Sequence, residues 1–193
     1  MSALPQPILT ATEYLDIERG APFRSEFHHG RMYAMSGGSI RHALVGTNIA
    51  SELRTQLRTS GCSVASSDLR VATPGDSLFM YPDVVVFCGE AQVLDQHQDT
   101  LLNPILLIEV LSPSTEGYDR GFKSQRFRTI ASLREYALVS QSEARVELFR
   151  RREDDTWSLH EFAGLDAVCR FESTGCSVTM AEIYRKITFA PQA

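Results

Sequence analysis

Asp83 stands in Tyr81-Pro82-Asp83-Val84-Val85-Val86-Phe87, and Glu109 in Ile105-Leu106-Leu107-Ile108-Glu109-Val110-Leu111. Both runs are otherwise apolar, as in strands buried on both faces. An ionised carboxylate is penalised heavily there unless something pairs with it. On neighbouring strands the two acids would meet, and at roughly 4 Å they would repel by about 4 kcal/mol at an effective dielectric near 20. A proton, a lysine or a metal cation has to offset that. A divalent cation would turn the pair into a catalytic site, since magnesium is held by one or two carboxylates, water and substrate phosphate. Lys123 is the third element. It shares the apolar spacing of Phe127 and Ile130, so it faces the interior and needs acidic partners, with Asp83 and Glu109 the obvious ones.

The elements that would position these groups read as follows. Thr10 and Glu13 form a capping box that opens a helix ending near Gly20. Strands at 23–27 and 31–35 flank His28-His29-Gly30, a three-residue hairpin loop. Ser36-Gly37-Gly38-Ser39 breaks the chain before a helix from Ile40 to Arg58, whose stripe Val45, Ile49, Leu53, Leu57 is extended by His42. Strands are expected at 62–72, 77–81, 83–88 and 104–111, and a second helix from Arg120 to Leu133. Further strands are expected at 135–140, 144–151, 156–162 and 167–172, with a short helix from Met180 to Arg185. The order is that of one mixed α/β or α+β domain spanning 1–193. Pro82 marks a strand start, where proline is tolerated, so Asp83 sits at the sheet's rim, and Glu109 lies near the end of its strand.

The 193 residues have a net charge of -5, so the surface as a whole does not announce nucleic-acid binding. Arginine supplies 17 of the 19 basic residues, which makes the mid-chain Lys123 conspicuous. No apolar stretch approaches membrane-span length. The four cysteines lack CxxC spacing, and the expectation is a reducing cytoplasm with free thiols.

The segments Pro82-Asp83, Glu109-Val110-Leu111-Ser112-Pro113-Ser114-Thr115, Asp119-Arg120-Gly121-Phe122-Lys123 and Ser132-Leu133-Arg134-Glu135-Tyr136 resemble the Uma-type putative restriction endonuclease family, which is similar to the PD-(D/E)xK nuclease superfamily. The resemblance covers nearly the whole chain. It implies a restriction-endonuclease-like core with a central mixed sheet, flanking helices and a β-rich C-terminal part. It also implies metal-dependent hydrolysis of DNA phosphodiesters with Mg2+ or Mn2+. The superfamily lysine stands two residues after the second acid, and here that position is Leu111. The resemblance therefore carries Asp83 and Glu109 over as metal ligands and Lys123 as a lysine moved to the following helix. Glu26 and His42 match an early hairpin acid and a histidine heading the first long helix.

Arg120 and Arg126 are the expected DNA contacts, within a basic stretch that a homodimer could align across a duplex. Blander readings stand beside these. Asp83 after proline could make a turn, Glu109 could pair structurally, and Lys123 could snorkel outward. His42 could be a core histidine, and His28-His29 a solvated turn. A nuclease scaffold can also serve as a catalytically inactive nucleic-acid-binding or protein-interaction module.

Overall fold

The computed structural model describes residues 8–75 and 78–189. Helix α1 (Ala11–Gly20) starts at the expected capping box, in which the Thr10 hydroxyl accepts from Glu13 N and the Glu13 carboxylate accepts from Thr10 N. Strands β1 (Ser25–His28) and β2 (Arg31–Ala34) form the hairpin. Its loop has two residues rather than three. His29 and Gly30 both have positive φ, 50° and 74°, the two-residue turn whose twist matches that of paired strands. His28 is thereby drawn into the ladder opposite Arg31.

Helix α2 (Ile40–Gln56) begins at Ser39, whose hydroxyl accepts from His42 N, and it buries Val45, Asn48, Ile49 and Leu53. The run 62–72 is two strands, β3 (Cys62–Ser66) and β4 (Arg70–Ala72), in two different sheets. A turn closed by Leu69 N donating to Ser66 O moves the chain between them, with polar Ser67 and Asp68 at its bend. Strand β5 (Leu78–Met80) lies within the expected 77–81, of which Ser77 is outside the described residues. Strands β6 (Val84–Cys88), β7 (Thr100–Leu101) and β8 (Leu106–Leu111) follow.

The second helix begins and ends earlier than the spacing predicts. It comprises α3 (Glu116–Tyr118), a π-helical turn (Asp119–Lys123) and α4 (Ser124–Phe127). Phe127, Ile130 and Leu133 are all buried. They are linked by successive tight turns, Ile130 N to Phe127 O and Leu133 N to Ile130 O, which reproduce helical spacing without a helix. The chain ends in β9 (Glu135–Ser140), β10 (Arg145–Arg151), β11 (Trp157–Ala163), β12 (Val168–Phe171), β13 (Cys176–Thr179) and α5 (Met180–Ile183).

The fold is mixed α+β. A six-stranded sheet runs β11-β10-β9-β8-β6-β3, with β8 and β9 parallel and the other pairs antiparallel. A five-stranded sheet runs β2-β1-β5-β4-β7, and β12 pairs with β13. Both faces of the six-stranded sheet are covered, which is why β6 and β8 read as unbroken apolar runs. Val84, Val86, Ile108 and Val110 pack with Val45, Ile49 and Leu53 of α2. Val85, Leu107 and Leu111 face Phe127, Ile130 and Leu133, together with Val71, Leu78 and Met80 of the other sheet.

No helix among the described residues is long and apolar enough to cross a membrane. The expectation of four free thiols is corrected at one pair. The β3–β6 register sets Cys62 directly opposite Cys88, and the two form a disulfide, while Cys169 and Cys176 are free and buried.

Candidate active site

Asp83 precedes β6 by one residue. The antiparallel register pairs Val84 with Ile108, so one step further on Asp83 lies across from Glu109. Directly opposed residues of antiparallel strands share a face, here the one lined by Val85, Leu107 and Leu111. Asp83 Oδ2 accepts from Val110 N at 2.7 Å and lies 3.3 Å from His42 Nε2. That fixes the carboxylate with one oxygen engaged. His42 reaches it from the first turn of α2. Its hydrogen bond to Asp83 outweighs burial and holds the imidazole above its ordinary pKa.

Gly38 explains the ring's position. A Cβ there would stand 2.8 Å from His42 Nδ1, so only glycine lets the imidazole lie back against the loop.

Lys123 closes the other side. Its Nζ is 2.8 Å from Glu26 Oε1, 3.1 Å from Glu109 Oε1 and 3.4 Å from Asp119 Oδ1. All four side chains are almost fully buried. The π-helical turn puts Lys123 and Asp119 on the same inner face. Burial works against the Lys123 charge, but Glu109, Glu26 and Asp119 outweigh it, and the group stays an ammonium well above the usual lysine range. Burial raises Glu109 well above the usual carboxylate range. Lys123 opposes that shift, and the charges of Asp83, Asp119 and Glu26 add to it.

Of the residues expected at the site, Glu26, Glu109 and Lys123 are joined directly, and Asp83 and His42 form a second pair beside them. Lys123 is met by Glu26, Glu109 and Asp119 rather than by Asp83. Asp119 is the partner that the sequence reading missed; its signal was its place four residues before Lys123. Arg120 is turned away and engaged by Glu116 and Glu147. Arg126 is exposed, with its guanidinium 5.3 Å from the Phe122 ring centroid.

Four carboxylates therefore face one ammonium and one imidazole, and Asp119 Oδ1 is buried without a hydrogen bond. Hard oxygen donors in excess over cations suit a hard divalent ion. Among the described residues no three His, Cys, Asp or Glu side chains form a ready cage, but magnesium is usually completed by water and substrate phosphate. An open cleft of about 1420 Å³ has His42 and Asp83 in its wall and Arg54, Ser63, Ser66 and Arg24 further along; Glu26, Glu109, Asp119 and Lys123 do not line it.

Comparison with known proteins gives three findings. A family model, Uma2, described as "Putative restriction endonuclease", matches residues 11–181. Two uncharacterized proteins of Synechocystis sp. (strain ATCC 27184 / PCC 6803 / Kazusa) are similar along most of their length. The protein slr1290 is 31% identical over 96% of both chains, and sll1609 is 35% identical over 85% of this chain and 93% of its own. The crystal structure of a putative nuclease belonging to DUF820 from Anabaena variabilis ATCC 29413 superposes with a TM-score of 0.74 at 16% identity. The match covers 91% of this chain and 97% of that one, and at that identity the likeness is one of fold.

Proposed function

Because the chain belongs to the Uma2 family of putative restriction endonucleases, we propose that it hydrolyses phosphodiester bonds of DNA with a divalent cation, Mg2+ or Mn2+. The observation that carries the reading is the seating of Lys123 between Glu26 and Glu109, next to a rim carboxylate that opens on a cleft. Asp83 and Glu109 would hold the ion, which when bound lowers the pKa of water and neutralises charge on the phosphate.

The chain's own groups have distinct tasks. Val110 N and His42 fix one oxygen of Asp83, and Asp83 lines the cleft. Lys123 keeps its proton, so it acts as a fixed positive charge that orients the nucleophile or the phosphate rather than as a base. Glu26 and Asp119 hold that ammonium in place. DNA would be steered by Arg126, and by Arg54 along the cleft, more than by Arg120, whose guanidinium is already engaged. A second copy would supply matching contacts to the other strand of a duplex, and sedimentation at rising protein concentration reads that association.

The test is cleavage of plasmid DNA with magnesium or manganese, against an Asp83→Ala control. Cleavage by the wild type alone supports the reading. Equal cleavage by both proteins, or none by either, overturns it, and the second outcome leaves a binding module on the same fold.

A further inference from the structure

The hairpin β1–β2 and the helical segment 116–127 meet in a cluster of rings that the catalytic reading does not use. The His28 and Tyr33 rings stack at 4.3 Å with an interplanar angle of 4°. His28 also lies 4.6 Å from Phe122, and Phe122 stacks on Tyr118 at 5.5 Å. Such a cluster would be unremarkable in a core. This one reaches the surface at Tyr33, which is 41% exposed on β2, the edge strand of its sheet, while His28, Tyr118 and Phe122 are half-buried.

Its rim is basic. Arg31 and Arg126 are both exposed, and among the described residues neither forms an ion pair. Its position is tied to the candidate site twice. Tyr33 is the direct cross-strand partner of Glu26, and the Tyr118 ring centroid lies 5.7 Å from Lys123 Nζ. The His28 imidazole is kept from charging by burial, then by His29 and Arg126, so the rings present neutral faces.

We propose that this ledge is a stacking platform for an unpaired nucleobase, so that the ligand held next to the candidate site is single-stranded or strand-separated nucleic acid. Every base has a π-face, and aromatic rings with nearby cations are how proteins hold single strands without reading sequence. The two arginines, which form no ion pair among the described residues, favour a polyanion over a second copy of this chain, which would set like charges against each other. The inference rests on the nuclease reading only for the base's place beside the scissile bond. Its test needs no cleavage.

Anisotropy of a labelled oligothymidylate and of a labelled duplex of equal length is measured with wild type, Tyr33→Leu, Tyr33→Phe and Arg126→Gln, without divalent metal. Tyr33 is exposed on an edge strand, so its variants keep the fold. Wild type binds the single strand more tightly than the duplex. Tyr33→Leu, which keeps the apolar surface but not the ring, weakens single-strand binding about tenfold and leaves duplex binding unchanged. Tyr33→Phe binds as wild type does. Arg126→Gln weakens both ligands and lowers the salt dependence.

Unchanged single-strand binding by Tyr33→Leu, equal losses in Tyr33→Leu and Tyr33→Phe, or no binding by wild type overturns the ledge. So does a Tyr33→Leu protein that loses self-association in sedimentation but still binds the oligonucleotide. If plasmid cleavage fails while Tyr33-dependent binding holds, the nuclease reading falls and the ledge stands.

Discussion

Glu109 and Glu135 are both buried acids on adjacent parallel strands, and the chain treats them in opposite ways. Glu135 is fully buried and saturated. Its carboxylate takes Arg150 Nε at 2.8 Å, Glu172 N at 3.1 Å, Ser173 N at 3.0 Å and the Ser173 hydroxyl. Four donors aimed at one acid make a clip that ties β9 and β10 to the end of β12. Glu109 shares a single ammonium with Glu26 and Asp119 and has the Asp83 charge across the strand pair. A buried acid with its donors complete has finished its task in holding the fold. One left short of cations is where the proposed divalent ion would bind.

The sharpest break of that contrast is a pair of isosteric changes. Glu109→Gln is expected to lower cleavage more than about 100-fold, since even groups behind a metal ligand are worth about 10–100-fold. It should cost no stability, because it relieves crowding among acids. Glu135→Gln is expected to lose about 1–3 kcal/mol in urea unfolding, since an amide nitrogen would then face donors that now meet a carboxylate oxygen, and to keep its activity per folded molecule; Arg150 retains Glu172 and the Arg170 carbonyl. Equal destabilisation by the two changes would erase the distinction.

Next in size is the response to magnesium or manganese. At a hundredfold excess over Kd, binding to the folded state adds about 2.7 kcal/mol, a rise in Tm of roughly 5–10 °C for a chain of this size. The rise should vanish in Glu109→Gln and persist in Glu135→Gln at the lower starting Tm.

Gly38→Ala probes the support of the site from a distance. Its Cβ would meet the His42 ring, so cleavage should fall about tenfold with Tm unchanged. Normal activity would remove His42 from the argument.

Asp99 sharpens the saturated class. Arg19 and Arg70 both bond it, and the Arg19 hydrogen bond comes first among the causes that hold its carboxyl well below the usual range. A lowered folded-state pKa gives stability that is present above about pH 4 and lost as pH falls towards the folded value. Asp99→Asn should therefore cost about 1 kcal/mol at pH 7, a modest figure because the group is partly exposed. The gap in Tm to wild type should close as the pH drops below about 4. A gap independent of pH would place the effect in packing instead.

The pair of acid-bearing strands was legible because an acid inside an apolar run breaks a strong pattern, and alternation gave the correct shared face for Asp83 and Glu109. The capping box and β9 were legible for equally local reasons. The partners of the acids were not, because they depend on which surfaces meet. Glu135 is the first residue of an expected strand, and its donors come from residues 150, 172 and 173. Asp119 falls one residue before the expected helix start at Arg120. The split of 62–72 between two sheets was hidden because both halves are strand-like, and only Ser67-Asp68 marks the change. The two-residue strand β7 and the short β13 carry too little pattern to stand out.

The π-helical turn at Asp119–Lys123 has one last consequence. A widened turn of this kind holds an extra residue relative to regular α-helical winding, and each residue of an α-helix rotates the side chains by about 100°. Deleting Gly121 would let the segment rewind as ordinary helix, with nearly the same composition and the same charge. Asp119 and Lys123 would then stand three apart, still neighbours on one helix face, so the ammonium should stay among its acids and the shortened chain should build the same cluster on plain α-helix.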